Sequence, residues 1–144
     1  MRQLVFAAGV LLSALIVLPI LYSAAARAGE PDDSIRAVIA AQIDAFRADD
    51  AGRAFSFAAP IIRGKFGTPD NFMDMVRIGY PEVYRPRSVE FRDLKQFDGR
   101  PAQDVWFLGE SGHAVIGRYF MEQQPDGSWK IAGVAIRPAP ELGA

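Results

Sequence analysis

The sequence predicts an α+β domain in which three N-terminal helices pack on a curved four-stranded antiparallel sheet, preceded by an apolar N-terminal segment. Three observations predict it. Apolar residues recur at helical spacing from Ile35 to about residue 80. From Ser88 onward apolar and polar residues alternate in twos. Turn residues at Asp98-Gly99, Glu110-Ser111-Gly112 and Pro125-Asp126-Gly127 divide that second half into four runs. Helices gathered in one half and strands in the other are the pattern of helices covering one face of a sheet.

The chain has 144 residues, one domain's worth. Its first 28 residues stand apart. Arg2 is followed by an uncharged stretch from Gln3 to Ala26, almost wholly apolar from Leu4 to Leu18. Ala26-Arg27-Ala28 then has the small-x-small form that a signal peptidase accepts, so residues 1–28 read as a signal peptide cut after Ala28. The same stretch is long enough to cross a bilayer core, so a membrane anchor over residues 4–26 is the alternative. Both place the domain outside the inner membrane, in the periplasm. Residues 29–33 are a polar lead-in, 34–137 the domain and 138–144 a loose tail.

Asp32, Asp33 and Ser34 are candidate N-caps for the first helix. Ile35, Val38, Ile39, Ile43 and Phe46 form its apolar stripe. Asp49-Asp50 restarts the chain as a second cap. The shorter stripe Ala51, Ala54, Phe55 and Ala58 stops at Pro60. Residues 61–67 fit either a helical turn or a loop. Thr68-Pro69-Asp70 starts the third helix, with Phe72, Met75, Val76 and Gly79 on its inner side. Pro81 and Pro86 end helical structure.

The strands follow from Val89 to Phe97, Ala102 to Leu108, His113 to Gln124 and Ser128 to Arg137. A type I turn on Gln124 to Gly127, with Gly127 left-handed, sets the last hairpin's register. It pairs Gln123 with Trp129, Met121 with Ile131 and Tyr119 with Gly133 on one face. On the other it pairs Glu122 with Lys130, Phe120 with Ala132, Arg118 with Val134 and Ile116 with Ile136. The first face suits packing against a helix. The second leaves Ile116, Phe120, Val134 and Ile136 beside Arg118 on an open sheet, more apolar surface than scattered exposure requires. The expected consequence is a homodimer through this face; cover by another segment is the alternative.

Without Arg2 and Arg27 the chain carries 14 basic and 17 acidic residues over 116 positions, a net charge of −3. That balance argues against a nucleic-acid binder. The absence of cysteine excludes disulfides and thiolate chemistry. A single histidine, His113, makes a zinc site improbable, and no Asp-rich loop, phosphate loop or nucleophile elbow occurs. No metal or cofactor is expected.

The closing motif Asp126-Gly127-Ser128-Trp129-Lys130-Ile131 stands beside two further stretches. Residues 35–50 read Ile-Arg-Ala-Val-Ile-Ala-Ala-Gln-Ile-Asp-Ala-Phe-Arg-Ala-Asp-Asp, and residues 71–86 contain Met75-Val76-Arg77 and Tyr80-Pro81. Together they resemble a bacterial domain-of-unknown-function family, number 4864, over about residues 34–136. The order of elements is similar to the nuclear-transport-factor-2-like, or cystatin-like, cone fold. The resemblance implies that cone. It implies no activity and no catalytic residue, since the family has none assigned. Folds of this type often enclose a pocket between helices and concave sheet.

Four residues are candidates for lining such a pocket. Gln42 lies near the middle of the first helix's apolar stripe, where an amide needs partners. Its plainer reading is a bond to neighbouring backbone. Tyr80, Tyr84 and Tyr119 could turn hydroxyls toward the same space, or serve only as core aromatics. A tyrosine with a carboxylate in an apolar cavity can run enolisation chemistry, but no acid is evident on an inward position; Asp104 has an uncertain direction. His113 reads as a solvated turn residue. Arg77, Arg85, Arg87 and Arg92 read as solvated surface, with an anionic ligand or lipid headgroup as the lesser alternative. The expected function is therefore non-enzymatic binding of a small apolar ligand or a protein partner. The alternatives are a cone-fold enzyme of isomerase or hydratase type on a small apolar substrate, and an accessory subunit that docks another protein.

Overall fold

The computed structural model describes residues 31–140, so the expectations for residues 1–30 and 141–144 lie outside it. Within them five helices precede four strands. Helix α1 spans Pro31–Arg47 and buries Ile35, Ile39, Ile43 and Phe46, the stripe its spacing dictates. It begins at Pro31, ahead of the candidate caps, so Asp32 and Asp33 sit in its first turn, where their charge still suits the positive end of the helix. Helix α2 (Ala51–Ser56) is capped by Asp50, whose carboxylate accepts from the Arg53 N–H at 3.0 Å.

Helix α3 (Pro60–Phe66), helix α4 (Pro69–Gly79) and helix α5 (Pro81–Tyr84) each start on a proline. Pro60 and Pro81, read from sequence as stops, are starts. At a helix's first position the missing N–H has no partner to lose and the fixed φ is already helical. Thr68 caps α4 as expected, its hydroxyl accepting from the Asn71 N–H at 3.2 Å. The inner face of α4 is Phe72, Met73 and Val76, while Met75 is half-buried and Gly79 exposed.

Strands β1 (Pro86–Phe97), β2 (Arg100–Gly109), β3 (Ala114–Gln123) and β4 (Trp129–Pro138) form one antiparallel sheet in chain order. Register shifts in β1 between Phe91 and Leu94, and in the β3–β4 pair, bend the sheet around the helices without closing it. Buried Gln103 serves the first shift: its amide donates to the Arg92 carbonyl at 2.6 Å and to the Asp104 carbonyl at 2.9 Å.

The last hairpin starts in the expected register. Gly127 has φ 85° and its N–H donates to the Gln124 carbonyl at 2.9 Å. Gln123–Trp129, Glu122–Lys130 and Met121–Ile131 pair as read from the turn. The register then slips. Phe120 pairs with Gly133, Tyr119 with Val134, Arg118 with Ala135, Gly117 with Ile136 and Ile116 with Arg137, leaving Ala132 as an extra residue. The cause lies at Ile131. Its N–H donates to the Phe57 carbonyl at 2.9 Å and its carbonyl accepts from the Ala59 N–H at 2.8 Å, so the link between α2 and α3 adds to the free edge of β4. A one-residue slip exchanges the two faces. Val134 and Ile136, expected on the outward face, therefore pack on the helix side against the core. Ile116, Arg118 and Phe120 remain outward, so the outward apolar patch is smaller than the alternation implied.

The core fills the space between helices and sheet. Phe72 is its hub, with ring centroids 5.4 Å from Phe55, 5.8 Å from Phe66 and 6.1 Å from Phe46. Trp129 is half-buried and packs against this core.

Candidate functional site

The packing is incomplete at one place. A cavity of about 220 Å³ opens between α1, α3, α4, the start of α5 and the inner face of the sheet. Its deep wall is buried: Phe46 and Gln42 from α1, Phe72 and Val76 from α4, Tyr119 from β3 and Ile131 from β4. Its mouth is formed by partly or fully exposed groups, among them Ile62, Lys65 and Phe66 of α3, Met75 of α4 and Tyr80. Helix α3 has no fully buried residue and leaves Ile61 exposed; it covers the cavity through half-buried Ile62 and Phe66, which pack against the core.

Three of the four candidate pocket residues meet here. Gln42 follows Ile35 by about two turns of α1 and so shares its face, and its amide donates to the Ala54 carbonyl of α2 at 3.1 Å. It both ties two helices together and lines the cavity. Tyr80, half-buried, stands at the rim. Tyr119 is fully buried, its ring 6.3 Å from that of Phe107, and its hydroxyl has no hydrogen-bond partner among the described residues. Burial pushes its phenol pKa up, so it stays protonated, a donor without an acceptor.

Tyr84 does not line the cavity. Tyr80, between α4 and α5, has φ −137° and ψ 57°, which breaks the helical phase that would have set Tyr84 beside it. The Tyr84 hydroxyl instead donates to Asp49, at the turn after α1. Arg85 joins Asp49 at 2.7 Å and donates to the Arg47 carbonyl, and Arg77 lies 3.5 Å from the same carboxylate. Both guanidinium groups lie over the Tyr84 ring, at 4.7 Å and 5.6 Å. The hydrogen bond from Tyr84, with the two arginines, holds the Asp49 carboxyl below the usual carboxylate range. Two of the arginines read as solvated surface are therefore tied at the surface into a network with Asp49 and Tyr84. Arg92 pairs with Glu90 at 3.2 Å. His113 is exposed in the turn between β2 and β3.

The outward face holds a second feature that the sequence reading missed. Asp104 is 4 % exposed on the face of the sheet away from the helices. Arg118, directly opposite on β3, binds both its oxygens, at 2.8 Å and 2.9 Å, and Arg137 lies 3.5 Å away. Arg118 also lies 5.4 Å from the centre of the Phe97 ring, which meets Phe120 edge-on at 5.9 Å. A groove of about 310 Å³ runs beside this pair over Trp106 and Ile116. The signal was the opposite charges at Asp104 and Arg118, but pairing them requires the β2–β3 register, which the turn at residues 110–112 leaves open.

Among the described residues the cavity wall carries neither carboxylate nor imidazole, and Lys65 is its one charged residue. Among the described residues no group of three or more His, Asp or Glu side chains is placed to hold a metal ion. The arrangement can enclose an apolar body between a buried phenol, Tyr119, and a second one at the rim, Tyr80. A family model described as "Domain of unknown function (DUF4864)" matches residues 29–144. No curated protein matches the chain.

Proposed function

We propose, from the premise that the chain belongs to the family described as Domain of unknown function (DUF4864), that its domain binds a small apolar molecule bearing a hydrogen-bond acceptor, and does so without catalysing a reaction. The observation that carries this reading is Tyr119, which lines the cavity and whose buried hydroxyl has no hydrogen-bond partner among the described residues. Leaving a buried donor unpaired costs about 1–3 kcal/mol. A ligand oxygen that reached it would recover that loss while its apolar part filled the cavity. A dry apolar cavity of about 150 Å³ holds a benzene molecule, so one of 220 Å³ suits a ligand of about nine non-hydrogen atoms. General acid–base chemistry most often uses histidine or a carboxylate at the reacting atoms; among the described residues the wall has neither, its titrating groups being Lys65 and Tyr80 at the rim and the buried Tyr119, and this favours binding.

The test is titration of the purified protein with 1-octanol and with n-octane, followed by calorimetry and by thermal stability. The expected result is saturable binding of both, tighter for the alcohol, with the alcohol's advantage lost in Tyr119→Phe. Absence of saturable binding, or an equal advantage in the variant because the hydroxyl holds only a buried water, overturns the reading.

We also propose that the domain works outside the inner membrane. The uncharged stretch ending in Ala26-Arg27-Ala28 supports this, and the family match begins at residue 29, one residue past the expected cut. Mass spectrometry of the protein from periplasmic extract should show a chain starting at Gly29. A full-length chain confined to the membrane fraction would favour the anchor, and one free in the cytoplasm would overturn export.

A further inference from the structure

We infer that the ligand of this cavity is an organic monoanion, held with its apolar body inside and its charged group at the mouth against Lys65. The inference rests on the cavity-binding reading above and adds the charge of the ligand and its orientation. Three observations carry it.

The first is position. Among the described residues Lys65 is the only charged one on the cavity wall, and it belongs to the exposed rim, whereas Gln42 and Tyr119 belong to the buried end. The cavity is thus polar at both ends and apolar between them. A cation at the solvent side suits a charged group that keeps part of its hydration, because full burial of a charge is far more costly.

The second is the absence of compensation. Helix α3 carries Arg63 and Lys65 and no acidic residue. Neither cation forms an ion pair among the described residues, although Asp32, Asp44, Asp49, Asp74, Glu90 and Asp104 all do. The nearest acid in sequence is Asp70, in the first turn of α4.

The third is how the two cations are held. The Lys65 ammonium lies 5.6 Å from the centre of the Phe66 ring and the Arg63 guanidinium 5.5 Å from that of Phe55. Both rings pack on Phe72, which lines the cavity. Cation–π contact positions the charges over the aromatic wall while leaving their N–H donors free. A single ammonium acts as a point charge, and one such charge at the mouth is balanced by one negative charge, such as that of a carboxylate.

The test uses three eight-carbon chains that differ only in the head group: octanoate, 1-octanol and octylamine, titrated into the purified protein by calorimetry. Octanoate should bind tightest and octylamine weakest. In Lys65→Gln the octanoate affinity should fall about two- to five-fold, the range for a partly exposed ion pair, while that for octanol stays put. Arg63→Gln should cause a smaller loss, and salt should reduce the octanoate advantage in the wild type. Octanol binding with octanoate no better than octylamine overturns the anion assignment and leaves the cavity reading standing. So does an octanoate affinity unchanged in Lys65→Gln. Failure of all three chains to bind overturns both.

Discussion

Asp104 and Arg118 face each other across β2 and β3 and are joined by two charge-assisted hydrogen bonds, 2.8 Å and 2.9 Å long, on the side of the sheet that the helices do not cover. The Asp104 side chain is 6 % exposed and that of Arg118 is 24 % exposed. The pair is shielded by its own surroundings, Phe97 under the guanidinium and Arg137 beside the carboxylate. A carboxylate this inaccessible stands only because its charge is met. Asp104→Ala should lower stability by about 2–3 kcal/mol. Combined with Arg118→Met the loss should be less than additive. Urea denaturation of the two single variants and the double variant measures this.

The same pair sets a pH dependence. The hydrogen bonds from Arg118 hold the Asp104 carboxyl below its usual range, outweighing the opposing effect of burial. A carboxyl depressed in the folded state adds stability above its unfolded value, about 3.9, and that contribution disappears as the pH falls through the lower folded value. Asp49 and Asp126 are shifted in the same direction, the first chiefly by the Tyr84 hydroxyl and the second by Ser128. The melting temperature should therefore hold near neutrality and fall below about pH 4. The acid slope should be shallower in Asp104→Asn, as read by circular dichroism melts from pH 7 to pH 2.

Gly117 sits where no side chain fits. A Cβ there would stand 3.1 Å from Phe107 and 3.3 Å from both Ile136 and Tyr119. Two of those neighbours are wholly buried rings, so they cannot swing aside into solvent. Gly117→Ala should cost about 1–3 kcal/mol by overpacking, visible as a lower urea midpoint with an unchanged slope.

Tyr119→Phe separates stability from binding. The hydroxyl makes no hydrogen bond among the described residues, so its removal takes away a desolvation cost rather than a contact. The unliganded variant should be as stable as the wild type or up to about 1 kcal/mol more stable. Its preference for oxygen-bearing ligands should be gone. A thermal melt that shows a clear loss of stability would mean that the hydroxyl is satisfied in the native protein.

Much of this architecture was legible locally. The stripe from Ile35 to Phe46 needed only the helical period. The caps at Asp50 and Thr68 needed only their side chains and the residues after them. The first three pairs of the last hairpin needed only the turn at Gly127. The family, too, was readable from short stretches of sequence. For the candidate site, the helical period placed Gln42 on the inner stripe of α1 and the hairpin register placed Tyr119 on the inner face of β3.

What the tertiary structure decided lies at the junctions. Pro60 and Pro81 read as ends because a proline breaks the helix before it; only the path of the chain shows that each begins a new one. Tyr84 left the cavity because Tyr80 takes a non-helical conformation between two helices. Asp104 found Arg118 through a register that its turn did not specify. Val134 and Ile136 changed faces because the backbone of Ile131 is bonded to Phe57 and Ala59, more than seventy residues earlier. Periodicity reports how a segment repeats along its own axis. A bulge or a change of direction is set by hydrogen bonds from elsewhere in the chain, and one extra residue in a strand is enough to turn every later side chain to the opposite face.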